Sequence, residues 1–111
     1  MDQEEGQFLL HKRFEDRARR VPDDVALFEG DQGITYLELE ARANNEAAGL
    51  RSRGIQPGSF VGLHVDRSID WVVGLLAILK ANAAVVPLPP SNPDGWYEEV
   101  LPFAHLDAII E

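Results

Sequence analysis

The sequence predicts an α/β fold built on a parallel sheet. Over residues 60–110, short apolar runs alternate with stretches of helical periodicity, in the order strand, helix, strand, helix, strand. Such alternation is typical of parallel strands joined by right-handed crossovers. Ahead of this segment, a charged stretch and two short apolar runs predict a small N-terminal helix and a hairpin. We therefore expect a three-layer, Rossmann-like partial subdomain with a parallel βαβαβ core.

The N-terminal stretch divides into an acidic start and a surface helix. Residues 1–6 carry three acids and are predicted to be a disordered start, so residues 7–111 form the folded unit. A helix is predicted over 7–19 because apolar residues recur at helical spacing among charges. These residues are Phe8, Leu10, Phe14 and Ala18. Pro22 ends the helix, because proline lacks a backbone donor and disfavours helix in the residue before it.

A hairpin and a long capped helix are predicted next. Strands are predicted over 25–28 and 34–36, and the segment between them, 29–33, is rich in turn-forming residues. This pattern is typical of a small hairpin. Thr35 and Glu38 have the spacing of a capping box, in which each side chain bonds the other residue's backbone amide. One helix face then carries Leu39, Ala43, Ala47 and Leu50. Gly54 ends this helix, since glycine adopts a left-handed conformation at little cost.

The predicted core begins with a strand over 60–65, whose largely apolar character indicates burial on both faces. Ser68 can cap the following helix. The core stripe of that helix is Ile69, Val72, Val73, Leu76 and Leu79. Asn82 stands at the helix end, where a left-handed residue is needed. The helix is apolar on nearly every side, which predicts burial on more than one side.

The last elements are a strand over 84–88, a stiff proline-rich loop, a helix and a final strand over 107–110. Pro87 limits hydrogen bonding, so it is expected at the strand end. Asn92 and Pro93 are suited to the first positions of the helix. Its apolar face carries Trp96, Val100 and Phe103.

Composition limits the possible functions. The chain has 111 residues, a formal net charge of −9 and no cysteine, so we expect one domain without disulfides or a thiol nucleophile. The acidic balance argues against nucleic acid and against an anionic membrane surface. The longest apolar run, 71–78, is too short to cross a bilayer. The acidic first ten residues are unlike a signal peptide, so a cytoplasmic location is expected.

Three stretches together resemble the adenylation domains of nonribosomal peptide synthetases, within the adenylate-forming superfamily. They are ITYLELEARAN at 34–44, VGLHVDRS at 61–68 and LKANAAVVPL at 79–88. The resemblance covers nearly the whole chain in order. Three positions depart from the family pattern: Asn82 replaces a usual glycine, Val85 an aromatic residue and Pro89 an acid.

The resemblance implies that the chain ends before the catalytic parts of the family. There, a phosphate loop, an acid for the ribose and a lysine on a C-terminal subdomain hold ATP, which is used with magnesium. We therefore expect no catalytic, cofactor-binding or metal-binding residue in this chain. The residues themselves agree, because the glycine-containing turns at 29–33 and 54–58 carry no lysine or arginine and are poor phosphate cradles.

Two further candidates for chemistry are weak. His64 and Asp66 would share one face if the strand over 60–65 continued, and they lie near its carboxyl end, where α/β sites usually form. A metal needs three or four ligands, and neither His11 nor His105 has an evident place beside this pair. Ser68 lacks the context of a nucleophile. We interpret Asp66 and Ser68 as competing caps of the next helix.

Four apolar residues are candidates for an interface: Trp71, Leu75, Ile78 and Trp96. The all-round apolar helix would be covered by the rest of the enzyme in the full family fold, so each tryptophan is either core or a partner anchor.

Three functional hypotheses remain open. The first is a non-catalytic, truncated adenylation module that acts as a structural or docking element in a nonribosomal peptide or hybrid polyketide-peptide synthetase. The second is a fragment or split half of an active amino-acid or aryl-acid adenylating enzyme, because a sheet that ends at Ile110 leaves an edge open to pairing. The third is a small dimer or oligomer, without a ligand, that covers that edge and the helix of Trp71. The expected partners are other synthetase domains or subunits, or a second copy.

Overall fold

The computed structural model describes residues 10–90 and 105–111. Its elements are α1 (Leu10–Arg20), β1 (Val25–Glu29), β2 (Gln32–Thr35), α2 (Tyr36–Ser52), β3 (Phe60–Leu63), α3 (Ile69–Lys80), β4 (Ala84–Pro87) and β5 (Ala108–Ile110). The predicted start over 1–6 and the predicted helix that carries Trp96 lie outside the described residues.

The three C-terminal strands form a parallel sheet in the order β4-β3-β5. Val61 of the central strand pairs with Val85 on one side and Ala108 on the other. Residues 61–63 are buried, as a strand with a neighbour on both sides and cover on its faces requires. The predicted α/β class and the parallel order are confirmed.

Two glycines allow close packing on either face of β3. A Cβ atom built on Gly74 of α3 would lie 2.7 Å from Cδ1 of Leu63, so the helix lies nearly in contact with the sheet. On the opposite face, a Cβ atom on Gly62 would lie 2.8 Å from Cδ1 of Leu88 and 2.9 Å from Cδ1 of Leu106. All three separations are shorter than van der Waals contact, and a larger residue at either position would force neighbouring side chains to move.

The hairpin and the capped helix have the predicted form, with one correction. β1 and β2 pair antiparallel, and Gly30 turns the chain at a φ of 61°. Thr35 Oγ1 accepts from the Glu38 amide at 3.1 Å, and Glu38 Oε1 accepts from the Thr35 amide at 3.0 Å. Tyr36, predicted to close the strand, is instead the first residue of α2, because this capping box fixes the helix start at Thr35.

The core lies between α2, α3 and the sheet. The buried face of α2 consists of Leu39, Ala43, Ala47 and Leu50, as predicted. Ser68 Oγ accepts from the Trp71 amide at 3.3 Å and caps α3, whose end is followed by Asn82 with a φ of 60°. The predicted caps at both ends of α3 are confirmed.

The strands are shorter than their apolar runs. β3 ends at Leu63 rather than at residue 65, and β4 ends at Pro87 rather than at residue 88. Each is followed by one further ladder bond, from the His64 amide to the Ile110 carbonyl at 2.8 Å and from the Leu88 amide to the Leu63 carbonyl at 2.9 Å. Apolar character therefore extends beyond regular pairing, because the residues after a strand can be buried without being paired.

Candidate functional site

A cleft of about 370 Å³ opens at the carboxyl ends of β3 and β4, where α/β proteins usually bind ligands. Its walls are Leu63, Val65, Asp66, Arg67, Trp71, Pro87, Leu88, Pro89 and Pro90. The Arg67 guanidinium lies 5.6 Å from the centre of the Trp71 ring, within range of a cation–π interaction. With one cation and one acid on walls of proline and tryptophan, this cleft is suited to apolar contact rather than to a triphosphate.

The predicted interface residues occupy three different environments. Trp71 and Leu75 of α3 are half-buried and pack against the core while keeping part of their surface in water. Ile78 has an exposed fraction of 0%, so it belongs to the core and offers no surface to a partner. Trp96 lies outside the described residues. The interface role of Trp71 and Leu75 stays a prediction.

His64 and Asp66 do not share a strand face as the sequence suggested, because β3 ends at Leu63. His64 is partly buried and Asp66 is exposed. Asp66 contributes its backbone carbonyl, which accepts from Ser68 Oγ at 3.0 Å, while the Ser68 side chain caps α3. Within residues 10–90 and 105–111, no three His, Cys, Asp or Glu side chains are grouped as metal ligands would be.

The amino terminus of α3 is already occupied by oxygen atoms of the protein. Glu29 Oε1, from the end of β1, accepts from the Ile69 amide at 3.0 Å, and Ser68 Oγ accepts from the Trp71 amide. Free amides at a helix start are the usual phosphate site of α/β folds. Here a carboxylate takes that place, and its negative charge repels a phosphate. This role of Glu29 is not visible in the sequence, since no local pattern connects residues 40 positions apart.

Three helices meet at a buried lysine, which we call the Lys80 cluster (Glu15, Glu40 and Lys80). Lys80 Nζ, on a side chain that is 5% exposed, lies 2.6 Å from Glu15 Oε2 of α1 and 3.0 Å from the Glu40 carboxylate of α2. His11 of α1 is buried beside the cluster, and its Nδ1 has no hydrogen-bond partner among the described residues. Paired in this way, Lys80 neutralises part of the charge of the two carboxylates, and its side chain is 5% exposed.

The surroundings of the Lys80 cluster change two pKa values. Burial lowers the pKa of His11, since the neutral imidazole is easier to remove from water than the charged one. Burial alone would raise the pKa of Glu15, but the hydrogen bond from Lys80 and the charges of Lys80 and Lys12 outweigh it and lower the pKa overall. The structure therefore favours a neutral His11 and an ionised Glu15.

The grouping of the three residues of the Lys80 cluster is also not visible in the sequence. Its members lie at positions 15, 40 and 80 on separate helices; Glu40 and Lys80 fall within the stretches 34–44 and 79–88 that resemble the family, but no local pattern links the three residues to one another. One local signal was present: Lys80 comes two residues after the buried Ile78, at the end of an apolar helix, where a lysine needs a partner.

Within the described part of the chain, no helix has the length and apolar character needed to cross a membrane.

Comparison with known proteins extends over most of the chain. Residues 14–111 match the AMP-binding enzyme family. One protein of the linear gramicidin synthase of Brevibacillus parabrevis is 50% identical over 101 residues, which are 91% of this chain and 1% of that protein. Gramicidin S synthase 2 of Aneurinibacillus migulanus is 42% identical over 85 residues, or 77% of this chain and 2% of that protein.

Solved structures give the same result. The N-terminal subdomain of Klebsiella oxytoca NpsA superposes with a TM-score of 0.81 at 30% identity, over 92% of this chain and 27% of that one. FmoA3, a nonribosomal peptide synthetase bound to AMPPNP, superposes with a TM-score of 0.85 at 31% identity, over 90% of this chain and 11% of that one. The chain thus spans a small part of every one of these relatives.

Proposed function

This chain belongs to the AMP-binding enzyme family, as part of a nonribosomal peptide synthetase adenylation domain, and we propose that it is a structural part of that domain which carries out no adenylation by itself. The observation that supports the proposal is how its polar groups are used. The amino-terminal amides of α3 bond Glu29 and Ser68, and Lys80 is buried between two carboxylates. The amides and the ammonium group that could bind a phosphate are therefore already bonded to other residues of the fold.

We assign the binding of ATP and magnesium to parts of the adenylation domain that lie outside this chain. The described residues do not fit a nucleotide, because the helix start that would receive the phosphates faces the Glu29 carboxylate. The partners of this chain are the other domains or subunits of a synthetase, and the location of the chain is cytoplasmic. In this proposal the chain supplies a packed sheet whose outer strands β4 and β5 the remainder of the domain can extend.

A chimera tests the proposal. Residues 10–111 of this chain replace the matching segment in the adenylation domain of the Brevibacillus parabrevis linear gramicidin synthase, and ATP–pyrophosphate exchange is measured with the amino acid of the host. We expect the chimera to retain exchange within about tenfold of the host, a loss of about 1.4 kcal/mol in transition-state stabilisation. The chain alone, at the same concentration, should show background exchange.

A matched chimera that carries Gly74→Leu serves as the control. A Cβ atom at position 74 would lie 2.7 Å from Leu63 Cδ1. This chimera should therefore fold poorly and lose exchange because of the clash. A folded, soluble chimera with exchange reduced more than about a hundredfold would contradict the proposal. Exchange above background by the chain alone would contradict it from the opposite side.

A second candidate function is a free docking element, for which the outer face of the hairpin is the supporting observation. Phe28 is 71% exposed and Val25 47% exposed, and both side chains lie over Gly33. Burying exposed apolar side chains such as these against a partner would remove apolar area from water, which favours binding. If the chain acts alone, it should be a stable monomer that binds another part of a synthetase, and Phe28→Ser should abolish that binding. A chain that aggregates, and folds only within the chimera, would exclude this candidate.

A further inference from the structure

The charges of the chain are unevenly distributed, and α1 is the exception to its acidic character. This helix holds five of the ten basic residues of the chain but only two of its nineteen acidic ones. The net charge of the whole chain is −9, so the remainder is more acidic than the total suggests. A short basic helix therefore stands on a strongly acidic body.

The basic side chains of α1 all lie on its outward side. His11 and Ala18 are buried, and Glu15 is turned inward to Lys80. The outward side carries Lys12, Arg13, Asp16, Arg17, Arg19 and Arg20. Arg19 and Arg20 have side chains that are 72% and 70% exposed.

Two carboxylates reduce the charge of this face without neutralising its five cations: Glu15 Oε1 lies 3.7 Å from Lys12 Nζ, and Asp16 is the outward acid. Asp16 lies 3.7 Å from Arg19 and 3.3 Å from Arg20. Arg17 lies 5.6 Å from the centre of the Tyr36 ring, a contact that keeps its charge available. Arg13 makes no ion pair with any residue in the described ranges, and its side chain is exposed. The face keeps a clear excess of positive charge.

We propose that the outward face of α1 binds a short acidic segment of a partner polypeptide. An 11-residue helix is about 16 Å long, which five or six extended residues would match. Surface ion pairs are individually weak, but several acting together steer and orient an acidic partner. A long polyanion is disfavoured, because it would extend beyond α1 over the acidic body within about one Debye length. This inference goes beyond the structural role proposed above and does not depend on it.

The test uses the full chain and a fluorescein-labelled hexaglutamate peptide at low salt, with binding measured by fluorescence anisotropy. We expect saturable binding that weakens as salt is added. Arg13→Glu/Arg20→Glu should weaken binding at least about tenfold, since two attractive contacts become repulsive. The matched control is Arg51→Glu/Arg53→Glu, which makes the same charge change at exposed positions at the carboxyl end of α2, and it should change affinity less than about twofold.

Three results would overturn the proposal. One is equal weakening by both double variants, which would indicate general charge attraction. Another is tighter binding of a six-nucleotide single-stranded RNA than of hexaglutamate. The third is a dimer, seen by light scattering, that Arg13→Glu/Arg20→Glu disrupts, since a second copy would then be the occupant. If the charge reversal prevents folding, Arg13→Gln/Arg20→Gln replaces it, with an expected loss of about threefold.

Discussion

α3 packs on β3 through Leu63, Ile78 and the bare backbone at Gly74, whereas α1 meets α2 and α3 through a buried lysine shared by two carboxylates. Both contacts are well buried, yet their physical chemistry differs. Apolar contact depends on volume and shape and is nearly indifferent to pH. The contact at the Lys80 cluster depends on charge balance and is lost when one partner is removed or changes its protonation.

The difference indicates how the fold is divided. The sheet and α3 form a core that resists changes of solution conditions, while α1, which also packs Phe14 against apolar residues of α2 and α3, is attached in part by groups that respond to them. Because α1 also carries the basic outward face, its attachment determines whether that face is held in place. Substitutions in each region should therefore differ in size and in pH dependence, and the largest effect is expected in the apolar core.

Leu63→Ala should cost about 4 kcal/mol in the free energy of unfolding, because Leu63 is 1% exposed and its removal leaves a cavity between β3 and α3. Denaturant unfolding followed by circular dichroism measures the change. The loss should be the same at pH 7 and pH 5, since no titrating group is involved. A loss that varies strongly with pH would break the distinction between the two regions.

Lys80→Met should cost about 3 kcal/mol at pH 7, because two partly buried carboxylates are then left without their cation. The triple variant Lys80→Met/Glu15→Gln/Glu40→Gln removes the charges together and should recover most of the loss. Amide hydrogen exchange should show that α1 opens more than α3 in the single variant. Equal opening of both helices would mean that the cluster does not selectively attach α1.

Acid should loosen α1 before the core. Burial lowers the pKa of His11, so the unfolded state binds its proton first, and stability falls as pH decreases below about 6.5. The pKa of Glu15 is also lowered, which adds a further loss below about 4.5. Hydrogen exchange of α1 amides between pH 7 and pH 5, corrected for intrinsic rates, should show protection falling faster than in α3.

His11→Asn isolates the contribution of His11 to that acid response. Asparagine has no titratable group, so the slope of the free energy of unfolding against pH, between about 6.5 and 5, should decrease. His105→Asn, at an exposed position, is the matched control and should leave the slope unchanged. An unchanged slope in His11→Asn would show that burial of His11 does not carry the pH response.

Thr35→Ala should have the smallest effect, about 1 kcal/mol, because it removes one half of the capping box of α2. Denaturant unfolding measures this loss as well. The cap belongs neither to the contact of α3 with β3 nor to the Lys80 cluster. Protection of α1 and α3 amides against hydrogen exchange should therefore decrease in parallel. A loss confined to α1 would show that the start of α2 belongs with the attachment of α1.

Local features of the fold were predictable from the sequence. The Thr35–Glu38 capping box, the buried face of α2 and the order of the parallel elements depend on residues within a few positions of each other. The ends of β3 and β4 were placed too late, because apolar composition reports burial and not pairing. Ile78 was assigned to an interface because the sequence cannot say which side of an all-apolar helix faces the core.

The groups that decide the site could not be predicted. Glu29 bonds the start of α3 across 40 positions, and Lys80 bonds Glu15 across 65. Such pairs arise from the way the helices pack, and no spacing along the chain encodes them. The sequence correctly favoured a chain that resembles an adenylation domain, whereas the bond from the Ile69 amide to Glu29 and the pairing of Lys80 are tertiary features.

We propose to measure ATP–pyrophosphate exchange by the isolated chain and by the chimera with the Brevibacillus parabrevis linear gramicidin synthase. This measurement tests whether the chain is a structural part of an adenylation domain whose polar groups are used in folding. The predicted result is background exchange by the chain alone and near-host exchange by the chimera. Exchange by the isolated chain, or a folded chimera at background, would contradict it.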